Sequence, residues 1–292
     1  MIIIYGRAEA PFTIDGIKSW VECLDVQIDA PSEEGQISYH YHDYIEILYA
    51  LSPGATVWIN GEGYRFLPGD LAVINSTVPH TVTYQNKTNY ICIKFLPKIL
   101  YSDEQSVFEF KYALPFLFEN SNQKLFRADE IAHADLHALL SECMGEWVAK
   151  QIGFELVIRA NLLKIFAGIL RHLREKGALL PEAQPSDAIK RAVAFIGEQY
   201  RTASEREVAR AAGISYNHFS ATFKRQMGCS FNAYVTALKM REAERLLIST
   251  DASITEIASA LGFSTTSHFI ARFKKERHIT PKQFRKAILL SK

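Results

Sequence analysis

One short pattern occurs twice in the C-terminal third of the chain, and the two copies lie 49 residues apart. The stretch SEREVARAAGIS at 204–215 matches the stretch SITEIASALGFS at 253–264. Each copy starts with a serine that a glutamate follows three residues later, which is the capping-box signature of a helix start. Each copy then reaches a glycine, which favours the left-handed conformation at the end of a helix. Both copies therefore predict a short helix with defined ends.

A second helix is predicted directly after each glycine turn. Two phenylalanines lie four residues apart in each copy, at Phe219 and Phe223 in the first and at Phe269 and Phe273 in the second. Residues at that spacing share one face of a helix, so each pair must pack back on the preceding helix. A helix, a short glycine turn and another helix form the helix-turn-helix motif. The sequence predicts this motif twice.

The segment between the copies is predicted to be one uninterrupted helix. The residues from Phe231 to Ser249 include no proline or glycine and carry apolar side chains at roughly helical spacing. A helix of this length extends about 28 Å. Successive major grooves on one face of duplex DNA are about 34 Å apart, and the flanking helices add width to the spacer. The sequence thus predicts two DNA-reading motifs that a rigid rod holds one helical turn apart.

Charge divides the chain near Pro185. Residues 1–185 contain 15 Lys and Arg against 23 Asp and Glu, whereas residues 186–292 contain 18 against 9. Balances of −8 and +9 are therefore hidden in the net charge of +1. A basic half in a chain of ordinary composition indicates a polyanionic partner, which leaves a different task for the acidic half.

Length and composition limit the class of protein. A chain of 292 residues is typical of two domains. We predict a first domain at 1–175, a linker at 176–186 and a second domain at 187–292, because two prolines and a glycine interrupt the helical pattern in the linker. No apolar run is long enough for a transmembrane helix, and the N-terminus lacks the pattern of a signal peptide, so we expect a cytoplasmic protein without membrane contact. The four scattered cysteines predict reduced thiols.

The second copy also contains the pattern GF-S…F-FK…TP…R. Its residues are Gly262, Phe263, Ser264, Phe269, Phe273, Lys274, Thr280, Pro281 and Arg285. With this pattern, residues 187–290 resemble the DNA-binding domain of the AraC/XylS transcription regulators. One departure is His278, where the family usually has glycine. The resemblance implies a transcription regulator, expected to be an activator, that binds double-stranded DNA, forms a homodimer and contacts the transcription machinery.

The residues that would face DNA are those left over when the inward-facing phenylalanines are removed. Asn217 would bind adenine through two hydrogen bonds, and small or apolar positions would contact thymine methyl groups. No arginine occupies an obvious guanine-reading position, so DNA shape would contribute to specificity. Lysine and arginine near the helix ends would contact phosphates. The predicted DNA-binding residues are Tyr216, Asn217, Ser220, Ala221, Lys224, Arg225, Thr266, Ser267, His268, Ile270, Lys274 and Lys275.

The acidic half is predicted to be β-structure first and helix second. Turn residues separate six short segments of strand character between residues 37 and 95. Many short strands in so few residues close best as a barrel or a double-sheet jelly roll, because closure hides the strand edges. The fold class is therefore α+β, with a barrel and helices followed by an all-α domain. The predicted strands run from Ile45 to Leu51, Thr56 to Asn60, Tyr64 to Leu67, Asp70 to Ile74, Thr81 to Tyr84 and Tyr90 to Phe95.

Helical periodicity begins at Ile131 and is strongest in one apolar stripe. This stripe predicts a helix that covers the barrel. A second interpretation, compatible with the first, is a self-complementary face for dimerisation. The stripe consists of Phe154, Ile158, Leu162, Ile165, Phe166, Ile169, Leu170 and Leu173.

His40, His42, Glu46 and His80 form a pattern that is similar to the cupin motif His-x-His-x3-Glu…His. His40 and His42 share one face of a strand, so both imidazoles can enter the barrel. Imidazoles with one carboxylate suit zinc, nickel or ferrous iron. The flanking cupin consensus is degraded, and related regulators often keep these histidines without a metal. We therefore predict no cofactor and prefer a polar wall that binds a small ligand, with a divalent metal on these four residues as the alternative.

The resemblance implies a small-molecule effector in this cupin-like barrel, most commonly a sugar. Aromatic and polar side chains suit stacking on a sugar and hydrogen bonding to it. The candidate effector-binding residues are His40, His42, Glu46, Trp58, Asn75 and His80.

Three functions remain open from the sequence. The preferred one is a ligand-responsive, sequence-specific transcription regulator without enzyme activity. The second is a metal-dependent cupin enzyme with a basic tail, and the third is a DNA-binding regulator that needs no effector. The repeat and its matched spacer favour the first function over the second.

Overall fold

The computed structural model describes residues 7–8, 13–14, 17–29, 39–42, 44–76, 78–85, 87–100, 112–113, 116, 123–130, 135–178, 180–182, 184–277 and 279–289. These residues form two compact units. As far as they are described, residues 1–99 and 119–176 form the N-terminal unit, and residues 100–118 and 177–292 form the C-terminal unit.

The described part of the N-terminal unit contains twelve strands. They are β1 (Arg7–Ala8), β2 (Thr13–Ile14), β3 (Ile17–Lys18), β4 (Val21–Ile28), β5 (His40–Tyr41), β6 (Ile45–Ala50), β7 (Ala55–Ile59), β8 (Glu62–Phe66), β9 (Leu71–Ile74), β10 (His80–Tyr84), β11 (Thr88–Phe95) and β12 (Leu125–Phe126). One sheet has the order β1-β5-β10-β7-β8, and the other has the order β12-β9-β6-β11-β4. The strands β2 and β3 pair separately. All six strands predicted from the sequence are present, within two residues at each end.

Alternation along the strands places the core on the inner faces of the two sheets. In β7 the side chains of Ala55, Val57 and Ile59 are buried, whereas those of Thr56 and Trp58 on the opposite face are only half-buried. A period of two is expected of a strand with one face in a core. The residues of this inner core are Leu48, Ala50, Ala55, Val57, Ile59, Phe66, Ala72, Ile74, Val78, Tyr90, Cys92 and Leu125. The predicted β-rich, two-sheet architecture is confirmed.

Two helices, α1 (Leu136–Ala149) and α2 (Phe154–Glu175), follow the strands. The predicted apolar stripe lies on the inner face of α2, where Ile158, Leu162, Ile165 and Ile169 are fully buried. The ring of Phe166 meets that of Phe95 on β11 edge-on, with the centroids 5.5 Å apart. The prediction that this helix covers the sheet is confirmed. Because its own unit buries the stripe, a dimer contact needs another face of the helix.

Helices account for the regular structure described after residue 186. They are α3 (Asp187–Gln199), α4 (Glu205–Ala212), α5 (Tyr216–Met227), α6 (Phe231–Ser249), α7 (Ile254–Ala260), α8 (Thr266–Arg277) and α9 (Pro281–Leu289). The predicted rod from Phe231 to Ser249 is α6, with the same bounds. No helix in the described part of the chain is long and apolar enough to span a membrane.

The residues predicted as a linker pack on the end of α5. The backbone carbonyl of Gln226 accepts a hydrogen bond of 2.8 Å from the amide of Glu182. The side-chain oxygen of Gln226 accepts two more, both of 2.9 Å, from the amide and the hydroxyl of Ser186. Leu180 is buried as well. This stretch is therefore held by the C-terminal unit along much of its length.

Candidate nucleic-acid interface and buried histidine cluster

The first helix-turn-helix motif (residues 204–227) has the local structure that its sequence specifies. The hydroxyl of Ser204 accepts from the amide of Glu207, and the carboxylate of Glu207 accepts from the amide of Ser204, so the capping box is complete. Gly213 ends α4 in the left-handed conformation, with a φ of 74°. Phe219 and Phe223 on α5 are fully buried, with their ring centroids 5.3 Å apart. The opposite face of α5 is left to solvent.

The second motif (residues 253–277) repeats this arrangement. Ser253 and Glu256 complete its capping box, and Gly262 has a φ of 70°. Phe269 and Phe273 are fully buried in a core of their own. The inward orientation predicted for both phenylalanine pairs is confirmed.

Most of the predicted DNA-binding residues lie on the solvent faces of α5 and α8. The exposed ones are Tyr216, Asn217, Ser220, Ala221, Lys224, Arg225, Ser267, His268, Lys274 and Lys275. Thr266 is half-buried, and Ile270 is half-buried against the core of the second motif. Ile270 can therefore offer DNA only part of its side chain.

The two helices differ at their N-terminal ends. The hydroxyl of Thr265 accepts a hydrogen bond of 3.1 Å from the amide of His268, which caps α8. The side chain of Ser215 makes no such bond at the start of α5. Unbonded amides at a helix N-terminus favour a phosphate group. The start of α5 is thus suited to contact a DNA backbone.

Three histidines and one carboxylate meet inside the N-terminal unit. His40 and His80 lie opposite each other on β5 and β10, Glu46 lies on β6, and His42 lies between β5 and β6. The Nε2 atoms of His42 and His80 are 2.8 and 2.9 Å from the same Oε2 atom of Glu46. One ligand atom from each of the four residues lies within 4.8 Å of the others. His42, Glu46 and His80 are buried, and His40 is half-buried.

The hydrogen bonds around this cluster fix where the ring protons lie. Nδ1 of His42 is 3.2 Å from the carbonyl oxygen of Tyr44, and Nδ1 of His80 is 2.8 Å from that of Val78. A carbonyl oxygen only accepts, so both Nδ1 atoms carry the proton. Both Nε2 atoms then face a carboxylate, which is favourable only when Nε2 is also protonated or when a cation lies between the groups.

Charge coupling inside the cluster opposes the cost of burial. Burial by itself raises the pKa of Glu46, but the charge of His80 and hydrogen bonds from both histidines lower it well below its ordinary value. Burial lowers the pKa of His80, but the charge of Glu46 and its hydrogen bond outweigh this effect and raise the pKa. The cluster therefore favours a carboxylate that faces cationic groups.

The donor set also fits a divalent metal ion. Imidazole nitrogens with one carboxylate oxygen suit zinc, nickel and ferrous iron. Metal-binding histidines usually donate their second ring N–H to a carbonyl or carboxylate, as His42 and His80 do here. The thiol of Cys92 donates to the other carboxylate oxygen of Glu46 at 3.2 Å, which orients the carboxylate.

Comparison with known proteins identifies both parts of the chain. A helix-turn-helix domain model matches residues 208–287, and a cupin domain model matches residues 26–93. The uncharacterized HTH-type transcriptional regulator YdeC of Bacillus subtilis is 25% identical over 260 residues, which cover 86% of this chain and 87% of YdeC. The HTH-type transcriptional activator RhaS of Escherichia fergusonii is 24% identical over 270 residues, covering 90% of this chain and 92% of RhaS. The chain thus carries an AraC-type helix-turn-helix domain and a cupin domain, and the relatives that it resembles are AraC-family regulators.

One solved structure similar to this chain is a transcriptional regulator from Chromobacterium violaceum that is described as containing an AraC-type DNA-binding domain. It is 28% identical and covers 34% of this chain and 89% of its own, with a TM-score of 0.32. The helix-turn-helix domain and the regulator relatives together indicate a DNA-binding transcription regulator.

Two of the residues predicted to bind an effector are not among the clustered side chains. Trp58 lies on the face of β7 opposite the core, where its indole N–H donates to the hydroxyl of Thr83 at 2.9 Å. Its ring covers Gly63 on the neighbouring strand. Asn75 follows β9 and forms a turn in which its carbonyl accepts from the amide of Val78. Of the six candidates, only the three histidines and Glu46 come together.

Sequence reasoning missed Cys92 as a partner of Glu46. Alternation along β11 was the available signal, because it places Cys92 on the inner face, between Tyr90 and Lys94 in sequence. His278, the departure from the family pattern, lies outside the described residues.

Proposed function

We propose that this protein is a ligand-responsive regulator of the AraC family and that its effector binds at the histidine cluster of the N-terminal unit. The observation that carries this proposal is a group of three histidines and one carboxylate, of which His42, Glu46 and His80 are buried, next to the apolar core of the N-terminal unit. Burying such groups is costly, so a cluster of this kind is typical of a binding site. The effector regulates DNA binding if its affinity differs between the DNA-competent and DNA-incompetent states.

A sugar is the effector class that we carry forward from the family resemblance. Sugar hydroxyls both donate and accept, so they can donate to the Glu46 carboxylate and accept from protonated imidazoles. We also propose that the protein activates transcription, as the relative RhaS does by its name.

A divalent metal on His40, His42, Glu46 and His80 is the second candidate for the same cluster. The carbonyl partners of the two Nδ1 atoms favour it, because they leave the Nε2 atoms directed at Glu46. A bound cation would replace two ring protons as the charge that balances the carboxylate. In a regulator the ion would be part of the effector site, and no reaction follows from it.

Thermal-shift screening of the full chain against sugars and divalent metals tests these proposals. A ligand at about a hundred times its Kd stabilises the folded state by about 2.7 kcal/mol, which a melting curve resolves. We expect one class to stabilise the wild type, and to stabilise His40→Gln less, because His40 is a half-buried member of the cluster. The same ligand should change affinity for duplex DNA. Stabilisation without any change in DNA affinity would contradict ligand-responsive regulation, and no stabilisation by any compound would favour an effector-independent regulator.

We propose that the outer face of α2 forms the homodimer contact. Leu156, Ala160, Leu163, Ala167 and Leu170 follow one another at intervals of four, three, four and three residues, which is the heptad spacing of a two-helix seam. Leu156 is 72% exposed and Leu163 is 40% exposed. Leu170 belongs to the stripe predicted from the sequence but is only half-buried, at the edge of the seam. The other four positions lie away from the buried residues of the stripe, so a second copy of the same helix can pack on them.

A further inference from the structure

The two helix-turn-helix motifs have separate hydrophobic cores, and α6 contributes to both. Phe231, Tyr234 and Leu238 in the first part of α6 belong to the core of the first motif. Met240 and Leu247 in its second part belong to the core of the second motif. The change from one core to the other falls between Leu238 and Met240. If α6 were their only connection, each motif could change its orientation relative to the other. Further contacts are therefore needed to fix their mutual orientation.

Lys239 lies where α6 passes from the first core to the second. It contacts the second motif and the loop that leads into the first motif. Its ammonium group donates to the carbonyl of Arg201, in the loop before α4, at 3.0 Å. It also lies 3.4 Å from the carbonyl of Gly262, in the turn of the second motif, and donates to it. The same group lies 5.2 Å from the ring centre of Phe263. One side chain therefore joins the backbone of the second motif to the loop that leads into the first motif.

Gly262 brings the backbone of the second motif into direct contact with the backbone at Arg201, in the loop that leads into the first motif. A Cβ atom at this position would lie 2.0 Å from the carbonyl oxygen of Arg201, a distance that no side chain tolerates. The equivalent glycine of the first motif, Gly213, has nearly the same φ, but a Cβ there would meet only the end of the Arg191 side chain at 3.6 Å. Gly262 is therefore needed for the approach of the two motifs as well as for its own turn.

The side chain of Arg201 adds an ionic contact next to this approach. Its guanidinium lies 3.4 Å from Oε1 of Glu242, on the second part of α6. Glu242 is itself held by Arg245 at 2.7 Å. The loop before α4 is thus bound to the second part of the rod through both its backbone and its side chain.

We propose that Lys239 is a positioning residue that, with Gly262 and the loop at Arg201, locks the mutual orientation of the two motifs and so sets the spacing between the DNA elements they recognise. The residues touch no base in this role. They act by fixing how far apart, and at what angle, α5 and α8 are presented. Specificity for spacing then comes from a contact inside the protein.

The test is selection of bound duplexes from a pool of random-sequence DNA by the full chain. The wild type should enrich two sequence elements at one fixed separation. Lys239→Met removes the donor and keeps the aliphatic stem, and Gly262→Ala pushes the loop at Arg201 away. Both variants should enrich the same two elements over a wider range of separations. The site that the wild-type protein selects can then be lengthened by half a helical turn of DNA. The two variants should lose less affinity for this longer site than the wild-type protein does, by roughly tenfold, which is the scale of a typical coupling between two sites.

Matched control variants distinguish the proposed positioning role from the general effect of losing a lysine charge or of replacing a glycine with positive φ. Lys190→Met removes an exposed lysine on α3, and Gly213→Ala places the same strain in the first turn without the clash. Both should keep the single separation of the wild type. Lys239→Arg keeps hydrogen-bond donors at this position, so it should keep the single separation between the two DNA elements at least in part.

Two results would overturn the proposal. One is an unchanged single separation in both Lys239→Met and Gly262→Ala. The other is a wild type that enriches only one element, because there would then be no spacing to set. In contrast, failure of the proposed effector site would alter neither result, since the selection uses the protein without an effector.

Discussion

The Nε2 atom of His80 lies 2.9 Å from Oε2 of Glu46, although 34 residues separate the two in the sequence. Packing of the two sheets on each other brings them together, since His80 lies on β10 in one sheet and Glu46 lies on β6 in the other. Both side chains are buried, so neither can exchange its partner for water. This contact links the two sheets through a charge-assisted hydrogen bond.

Replacing Glu46 by Gln should destabilise the N-terminal unit strongly. Removing one partner of a buried ion pair leaves the other uncompensated, and the cost is typically about 3–5 kcal/mol. Urea unfolding followed by tryptophan fluorescence measures this unit alone, because Trp20, Trp58 and Trp147 all lie in it. The exposed Glu62→Gln serves as the control and should cost far less. Equal losses in the two variants would contradict the account of the cluster.

Gly69 and Gly153 make a matched pair for backbone strain. Both have a positive φ, of 87° and 88°, so an alanine at either position should cost about 1–2 kcal/mol. A Cβ at Gly69 would also lie 2.7 Å from the Cβ of Ala128, whereas a Cβ at Gly153 meets nothing within 4 Å. Gly69→Ala should therefore cost about 1–3 kcal/mol more, the usual cost of overpacking. Urea unfolding followed by tryptophan fluorescence measures both losses of stability. Equal losses in the two variants would contradict the predicted clash at Gly69.

Leu163→Glu should dissociate the proposed homodimer. The substitution places a charge in the middle of the proposed seam on α2, and burying it without a partner is strongly unfavourable. Sedimentation equilibrium should show twice the chain mass of 33.1 kDa for the wild type and a single chain for the variant. Ile248→Glu, at another exposed apolar residue, is the control and should remain dimeric. A monomeric wild type would remove the basis of the dimer proposal.

Asn217→Ala combined with Thr266→Ala should reduce sequence preference and leave nonspecific DNA binding in place. Base contacts specify sequence, whereas the phosphate contacts that we expect from Lys224 and Lys274 would supply general affinity. We expect the ratio of specific to nonspecific affinity to fall by roughly tenfold or more. The matched control replaces Asn232 and Thr255, which are exposed on α6 and α7, outside the two recognition helices. An unchanged ratio in the first variant would mean that other faces of α5 and α8 meet the bases.

Local signals were sufficient to predict α4 to α8 of the C-terminal unit. Capping boxes, glycine stops and phenylalanines four residues apart act within one or two helical turns, so the sequence specifies helix ends and inward faces directly. The bounds of α6 follow from the same kind of signal, since Ser230 caps its start. The contact between Gly262 and Arg201 could not be predicted from the sequence, because it joins residues that are far apart in the chain and follows no periodic pattern.

The N-terminal unit could be predicted only in part. Its short strands follow turn residues and alternation, but β4 was missed because its sequence, VECLDVQI, mixes charged and apolar residues. Convergence of the histidines on Glu46 followed from a family pattern, whereas the position of Trp58 depends on which face of β7 is inward. Strand register decides that face, and a shift of one residue reverses it.

Hydroxyl-radical footprinting of the full chain on a selected DNA duplex tests the central claim most directly, namely that α5 and α8 enter two adjacent major grooves. The account predicts two protected segments on one face of the duplex, with centres about 10 base pairs apart. A single protected segment, or two segments on opposite faces of the duplex, would contradict it.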